Sequence, residues 1–152
     1  MPHNPPEGYT RITPYLLYED AAAAIDFLTS AFGFTERMRM AGEGGQGVAH
    51  AELEYDGSPV MLGTPGGEFA GPASTGVDSP AFVHVYVDDI DAHHARAKEA
   101  GAEITREPED QFYGDRTYGA KDPQGMSWYF AQHVRDFNPE AMPAAAAETS
   151  AA

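Results

Sequence analysis

The chain has no cysteine. Disulfides and thiolate-bound metals are therefore excluded as sources of stability or chemistry. Positive charge is scarce, with 9 Lys and Arg against 24 Asp and Glu, a formal net charge of −15. A field of that sign repels nucleic acid and anionic lipid and attracts cations. No apolar run approaches the roughly 20 residues that span a bilayer. The N-terminus, Met-Pro-His-Asn-Pro-Pro-Glu-Gly, lacks the basic and apolar regions of a secretion signal. These features predict a cytoplasmic protein with neither a nucleic-acid nor a membrane partner.

Hydrophobic residues make up 42% of the 152 and aromatics 11%, enough for a globular core. Residues 1–10 hold three prolines and read as a loose arm. Residues 11–18 read as a strand, with Pro14 marking an edge or a bulge. Asp20 is a helix cap, and Ala21, Ala24, Ile25, Leu28 and Phe32 repeat at helical spacing up to Gly33. Alternating stretches at 34–40 and 48–55, the Asp56-Gly57 turn signal and the apolar Val60-Met61-Leu62 complete a first unit. Residues 64–80 are rich in glycine and proline and read as a linker or flap. A second set follows: a strand at 82–87, a helix capped by Asp88 or Asp89 and ending at Gly101, strands at 102–106 and 116–121, and Trp128-Tyr129-Phe130. The tail beyond about residue 136 is dominated by alanine and reads as frayed.

The two sets agree in spacing. Gly33 to Gly57 and Gly101 to Gly125 are both 24 residues. Thr13 to Asp20 and Phe82 to Asp89 are both seven. Such agreement is the signature of an internal repeat. The expected fold is α+β: two βαβββ modules, at 11–63 and 81–133, whose curved mixed sheets enclose a cup. One such unit buries too little surface to be stable alone.

Several motifs carry a resemblance. They are Tyr-Leu-Leu-Tyr-Glu-Asp before an alanine-rich helix, Phe-Val-His-Val-Tyr-Val-Asp-Asp-Ile-Asp-Ala, Gly101-Ala102, Tyr-Gly-Asp-Arg at 113–116, and Asp-Pro-Gln-Gly-Met-Ser-Trp at 122–128. Together they resemble the vicinal oxygen chelate superfamily, also called the glyoxalase/bleomycin-resistance/dioxygenase superfamily, and its PhnB-like branch most. The resemblance implies a homodimer. It also implies that metal-using relatives carry His, Gln or Glu on the first and last strands of each module. The matching positions here are Thr13, Met61, Phe82 and Tyr129. None suits a hard or borderline divalent ion. No cofactor is expected on this register, and a divalent metal remains open only at a displaced site.

Strand alternation then predicts the cup wall. Thr13, Tyr15, Met61, Phe82, Tyr86, Tyr118 and Tyr129 give it an aromatic, ligand-binding character. His50, Glu52, His84 and Arg116 are its polar groups. His50 or His84 could act as a general base, or the two could join Glu52 in a displaced metal site. Both could equally be hydrogen-bonded wall residues. Arg116 could hold an anionic group or form a structural ion pair. Trp128 has the parity of the core, and the adjacent His93 and His94 read as surface or rim residues. The leading expectation is a metal-free binder of a small aromatic or cationic molecule. The alternative is a lyase, isomerase or dioxygenase using a displaced metal or His and Arg acid-base chemistry.

Overall fold

The computed structural model describes residues 2–66 and 69–141. The expected tail beyond 141 and two linker positions, 67 and 68, lie outside the described residues. The first module runs β1 (Tyr15–Leu17), α1 (Ala21–Phe32), β2 (Thr35–Ala41), β3 (Val48–Tyr55) and β4 (Ser58–Gly63). A short helix α2 (Pro72–Thr75) interrupts the linker. The second module runs β5 (Val83–Tyr86), α3 (Ile90–Glu99), β6 (Glu103–Asp110), β7 (Asp115–Lys121) and β8 (Ser127–His133). Each module forms one mixed four-stranded sheet, in the orders β1-β4-β3-β2 and β5-β8-β7-β6. In both, the first strand pairs parallel to the last, and the remaining pairs are antiparallel. No described helix is long and apolar enough to cross a membrane.

The helices start and stop where local chemistry dictates. Asp20 Oδ1 accepts from the Ala23 amide at 2.9 Å, and Asp89 Oδ1 from Ala92 at 3.0 Å. Gly33 takes the left-handed conformation at φ 80° that closes α1. Arg96 of α3 then donates to the Ser30 and Thr29 carbonyls at the end of α1, at 2.7 and 3.0 Å. The two helices thus pack on each other as one layer shared by both sheets.

The core lies between that layer and one face of each sheet. Ile25, Leu28, Ala31 and Phe32 of α1 meet Leu53, Val60 and Leu62 of the first sheet in the same buried cluster as Tyr118, Trp128 and Phe130 of the second. Phe32 reaches across to Trp128 and Phe130, with ring centroids 5.5 and 4.8 Å away. His93 is buried in this layer too, not on the surface as its sequence context suggested. Its Nε2–H donates to the Phe32 carbonyl at 2.9 Å, and Nδ1 accepts from Tyr118 Oη at 2.7 Å.

The Asp-Pro-Gln-Gly-Met turn, 122–126, is a second tie between modules. Buried Asp122 accepts from Tyr18 Oη at 2.5 Å and Trp128 Nε1 at 3.1 Å, and from the Gln124 and Met126 amides at 3.0 and 3.1 Å. Burial pushes its carboxyl up, and these four donors pull it back. Gln124 also bonds Asp20 reciprocally, accepting from its amide at 2.9 Å and donating to its carbonyl at 2.7 Å.

Candidate functional site

The faces turned away from the helices are where chemistry can meet a ligand. On the first sheet, cross-strand register places Tyr15, Met61, Glu52 and Met38 in one row, and Leu17, Gly63, His50 and Met40 in the next. Gly63 leaves a gap that a side chain would fill, since a Cβ there would stand 2.6 Å from Tyr15 Oη and 2.8 Å from the Ala49 carbonyl. Tyr15 uses that gap to stack on His50, with centroids 5.5 Å apart. Its Oη lies 2.9 Å from His50 Nδ1, and His50 Nε2 lies 3.4 Å from Glu52 Oε1. Glu52 is buried and also accepts from Tyr9 Oη through Oε2.

That last contact holds the Tyr9 phenol above its usual range, first through the hydrogen bond to Glu52 and then through loss of solvent. The Arg37 guanidinium sits 5.0 Å from the Tyr9 ring centroid and donates to the Gly8 carbonyl. The arm that reads as loose is therefore docked on the sheet here. Tyr9 was missed because it stands alone among prolines and glycine, where no periodicity points to a face.

On the second sheet, His84, Tyr129 and Gly119 share a row. Phe82 packs on Tyr129 with centroids 5.2 Å apart, as do His84 and Tyr86. Tyr86 Oη donates to Asp115 Oδ2 at 2.8 Å, and His133 Nδ1 lies 2.7 Å from Asp115 Oδ1. These bonds to Asp115 are the main reason that Tyr86 and His133 both titrate above their usual values. His133 was not singled out from the sequence, and Asp115 entered only within the Tyr-Gly-Asp-Arg motif, as a possible partner for Arg116 that it does not pair with.

Tyr118 and Arg116 do not sit where alternation predicted. Tyr118 is fully buried against His93, and burial raises its phenol well above the usual range. Arg116 is tied by bonds of 3.0 Å to Asp91 of α3 and to Asp110, on the helix side. The cause is a difference between the two hairpins. β3 and β4 are joined through Asp56 and Gly57, with Tyr55 opposite Ser58. β7 and β8 are joined through five residues, 122–126, with Lys121 opposite Ser127. An even loop against an odd one shifts β7 by one residue relative to β3, and one residue reverses every side chain. Met61 faces Glu52, but Tyr129 faces Gly119 and not Ala120.

β1 and β5 are edge strands and lie on the two sides of a groove of about 780 Å³. Pro14, Tyr15 and Leu17 line one side, Phe82 and His84 the other, and Met126 joins them. Linker residues 70–72, 75 and 77–81 supply much of the remaining lining. A smaller cleft of about 480 Å³ shares His84 and adds Tyr86, Tyr55 and Ile12. The structure thus gathers Tyr15, Phe82 and His84 at one groove, with His50 and Glu52 behind Tyr15 and Tyr129 against Phe82. Thr13 bonds to Thr10, and Met61 is half-buried in the first sheet.

The donor set does not fit a divalent metal at the positions that the resemblance implies. Thr13, Met61, Phe82 and Tyr129 offer a hydroxyl, a thioether, a benzene ring and a phenol. Among the described residues, no three His, Asp or Glu side chains are grouped to hold an ion. His50 and Glu52 are together, but His84 stands on the other sheet.

Comparison with known proteins places this arrangement. Residues 10–130 match the sequence model of the Glyoxalase/Bleomycin resistance protein/Dioxygenase superfamily. An uncharacterized protein of Mycobacterium bovis is 39% identical over 139 residues, which is 88% of this chain and 90% of that protein. The crystal structure of TioX from Micromonospora sp. ML1 matches with a TM-score of 0.66 and 29% identity, covering 85% of this chain and all of that one. A PhnB protein from Bacillus cereus shares the fold at a TM-score of 0.61 and 17% identity, over 81% of this chain and 99% of that one.

Proposed function

Because the chain belongs to the glyoxalase/bleomycin resistance protein/dioxygenase superfamily, we propose that it binds a small aromatic or cationic molecule in the groove between β1 and β5. The groove itself carries this reading. Its size suits a small ligand, and Tyr15, Phe82 and His84 offer ring faces from both modules. A net charge of −15 favours a cation. The binding needs no metal at Thr13, Met61, Phe82 and Tyr129, whose side chains are poor ligands for one.

A homodimer goes with this reading. Tyr15, Met40, Phe82 and Tyr86 are each more than half exposed on faces that no described helix covers, which suits a second copy. Sedimentation of the purified protein should give twice the chain mass, and a monomer at micromolar concentration would remove the dimer from the proposal.

A thermal-shift screen against planar aromatic cations tests the binding. A bound ligand should raise the unfolding midpoint by mass action. Phe82→Ala should abolish that rise, since it strips one wall while touching little of the core. If no cation shifts the native protein, or if Phe82→Ala responds like it, the groove is not the site. Elemental analysis of protein purified without chelators accompanies the screen. Stoichiometric metal lost in His50→Ala would replace metal-free binding with a displaced metal site.

One observation favours an enzymatic reading as the second choice. His50 sits between Tyr15 Oη and the Glu52 carboxylate, an order suited to moving a proton to or from a bound molecule. His84 faces the same groove from the other sheet. Arg116, held by two carboxylates on the helix side, has no part in it.

A further inference from the structure

We infer that the groove is a slot for a short extended peptide bearing Lys or Arg side chains, which adds as a strand to the free edge of β5. This rests on the binding reading above and narrows its ligand from any small cation to one with a peptide backbone.

The free edges follow from the ladder bonds. On β1, the Pro14 carbonyl accepts from the Met61 amide at 2.9 Å, and the Tyr18 amide donates to the Gly63 carbonyl at 3.0 Å. Residues 14, 16 and 18 therefore face β4, and alternation turns the N–H and C=O of Tyr15 and Leu17 the other way. On β5, the Val87 amide donates to the Ala131 carbonyl at 2.8 Å, so residues 83, 85 and 87 face β8. The N–H and C=O of His84 and Tyr86 then point away from the sheet. β1 and β5 each have a neighbouring strand on one side only. Among the described residues, these outward groups have no hydrogen-bonded backbone partner.

Both edges border the groove. Successive side chains of a strand point to opposite faces. Yet residues 14–17 and 81–84 line the groove without a gap, so it meets both strands edge-on. The smaller cleft continues along the same seam, sharing Pro14, Val83 and His84 and reaching Tyr86. Gly71 of the linker overlies the Leu17 carbonyl, where a Cβ would stand 2.7 Å from that oxygen. This leaves β5 the more open edge. Much of the remaining lining is apolar, including Leu16, Val77, Phe82 and Met126. A guest that displaces water from the β5 edge must offer donors and acceptors at strand spacing, about 3.3 Å per residue. A lone ammonium offers no acceptor, whereas an extended peptide offers both groups in step. No Lys or Arg lines the groove or the cleft, and the chain carries −15, so basic side chains complement it.

The test uses acetylated, amidated pentapeptides that alternate Lys with Phe, Tyr or Leu. Each has two N-methylated copies, one methylated at the Lys amides and one at the others. Calorimetry on the intact protein should show binding by at least one parent peptide. One of its methylated copies should bind roughly tenfold or more weakly, because the donors toward β5 are gone. His84→Pro removes an outward N–H at an edge position that tolerates proline. It should weaken the same peptide roughly tenfold beyond the effect of His84→Ala. If the proline variant does not fold, the methylated peptides and the exchange measurement below decide. Equal binding by a parent and both its methylated copies, or by the two folded His84 variants, overturns the peptide slot. 2-Naphthylmethylammonium, which has no peptide backbone, is the parallel probe. Binding of that cation without any peptide keeps the groove as a site and removes the peptide. Binding of neither overturns both. Amide exchange needs no ligand to begin. The His84 and Tyr86 amides should exchange rapidly in the free protein and slow when the peptide binds. Protection of both in the free protein would mean that a second copy already covers the β5 edge, and would overturn the peptide slot.

Discussion

His93 shows how one side chain can join the halves of a duplicated fold. It lies in α3, yet it bonds Phe32 of the first module and Tyr118 of the second sheet. Its inward placement had a sequence signal: Ile90, His93 and Ala97 follow one helical face, and all three are buried. The neighbouring His94 drew attention to a pair when the period mattered. Removing the ring leaves the Tyr118 hydroxyl unpartnered in the core. His93→Ala should therefore cost about 2–4 kcal/mol in urea unfolding. Burial lowers the His93 titration, with its bond to Phe32 partly offsetting that and Arg96 adding to the lowering. The unfolded chain thus takes up a proton, below about pH 6.5, that the folded one resists. Stability from this group is complete above that pH and falls as pH drops toward the depressed folded value. His133 has the opposite sign: raised by Asp115, it stabilises at low pH and loses that contribution as pH rises, though its exposure screens the effect. A urea series from about pH 5 to 7.5 in a His133→Asn background should isolate the acid-side loss, and His93→Gln should flatten it.

A hairpin loop decided which of the predicted wall residues share the sheet face turned away from the helices. The first module's wall was legible, because Tyr15, His50, Glu52 and Met61 follow strict alternation about a two-residue turn. The second module's last antiparallel pair was not. Equal glycine spacing conceals the five-residue turn that changes the parity of β7, so Tyr118 and Arg116 were placed on the wrong face. That longer turn has its own work in holding Tyr18 and Trp128 through Asp122. Asp122→Ala should cost about 3 kcal/mol or more in denaturant unfolding, because it strands several buried donors at once. Gly63→Ala probes the other module. The added methyl would meet Tyr15 Oη and the Ala49 carbonyl, so a loss of roughly 1–3 kcal/mol is expected together with a weaker ligand response. An unchanged ligand midpoint shift in that variant would argue against a role for the Tyr15 crossing.

At the scale of the molecule, duplication was the most readable feature, since each half repeats strand, helix and three strands. What joins the halves was not readable, because His93, Arg96, Asp122 and Gln124 act across distances that no local pattern records. The acidic field adds a prediction of its own. Affinity for an aromatic cation should fall as salt rises from about 0.01 to 0.15 M, since the Debye length shrinks from about 30 to 8 Å. A salt-independent affinity would mean that ring contacts alone hold the ligand. The ties between modules run through the helix layer and the 122–126 turn, whereas residues 70–81 mainly border the groove. Within that segment Ser74 bonds Glu19 of the first module and Asp78 pairs with Lys121 of the second, exposed contacts beside the buried ties. A single proteolytic cut within it should leave two fragments that co-migrate under native conditions. On the proposed reading, changes to residues 77–81 should alter which ligand binds while the buried join between the modules stays as it is.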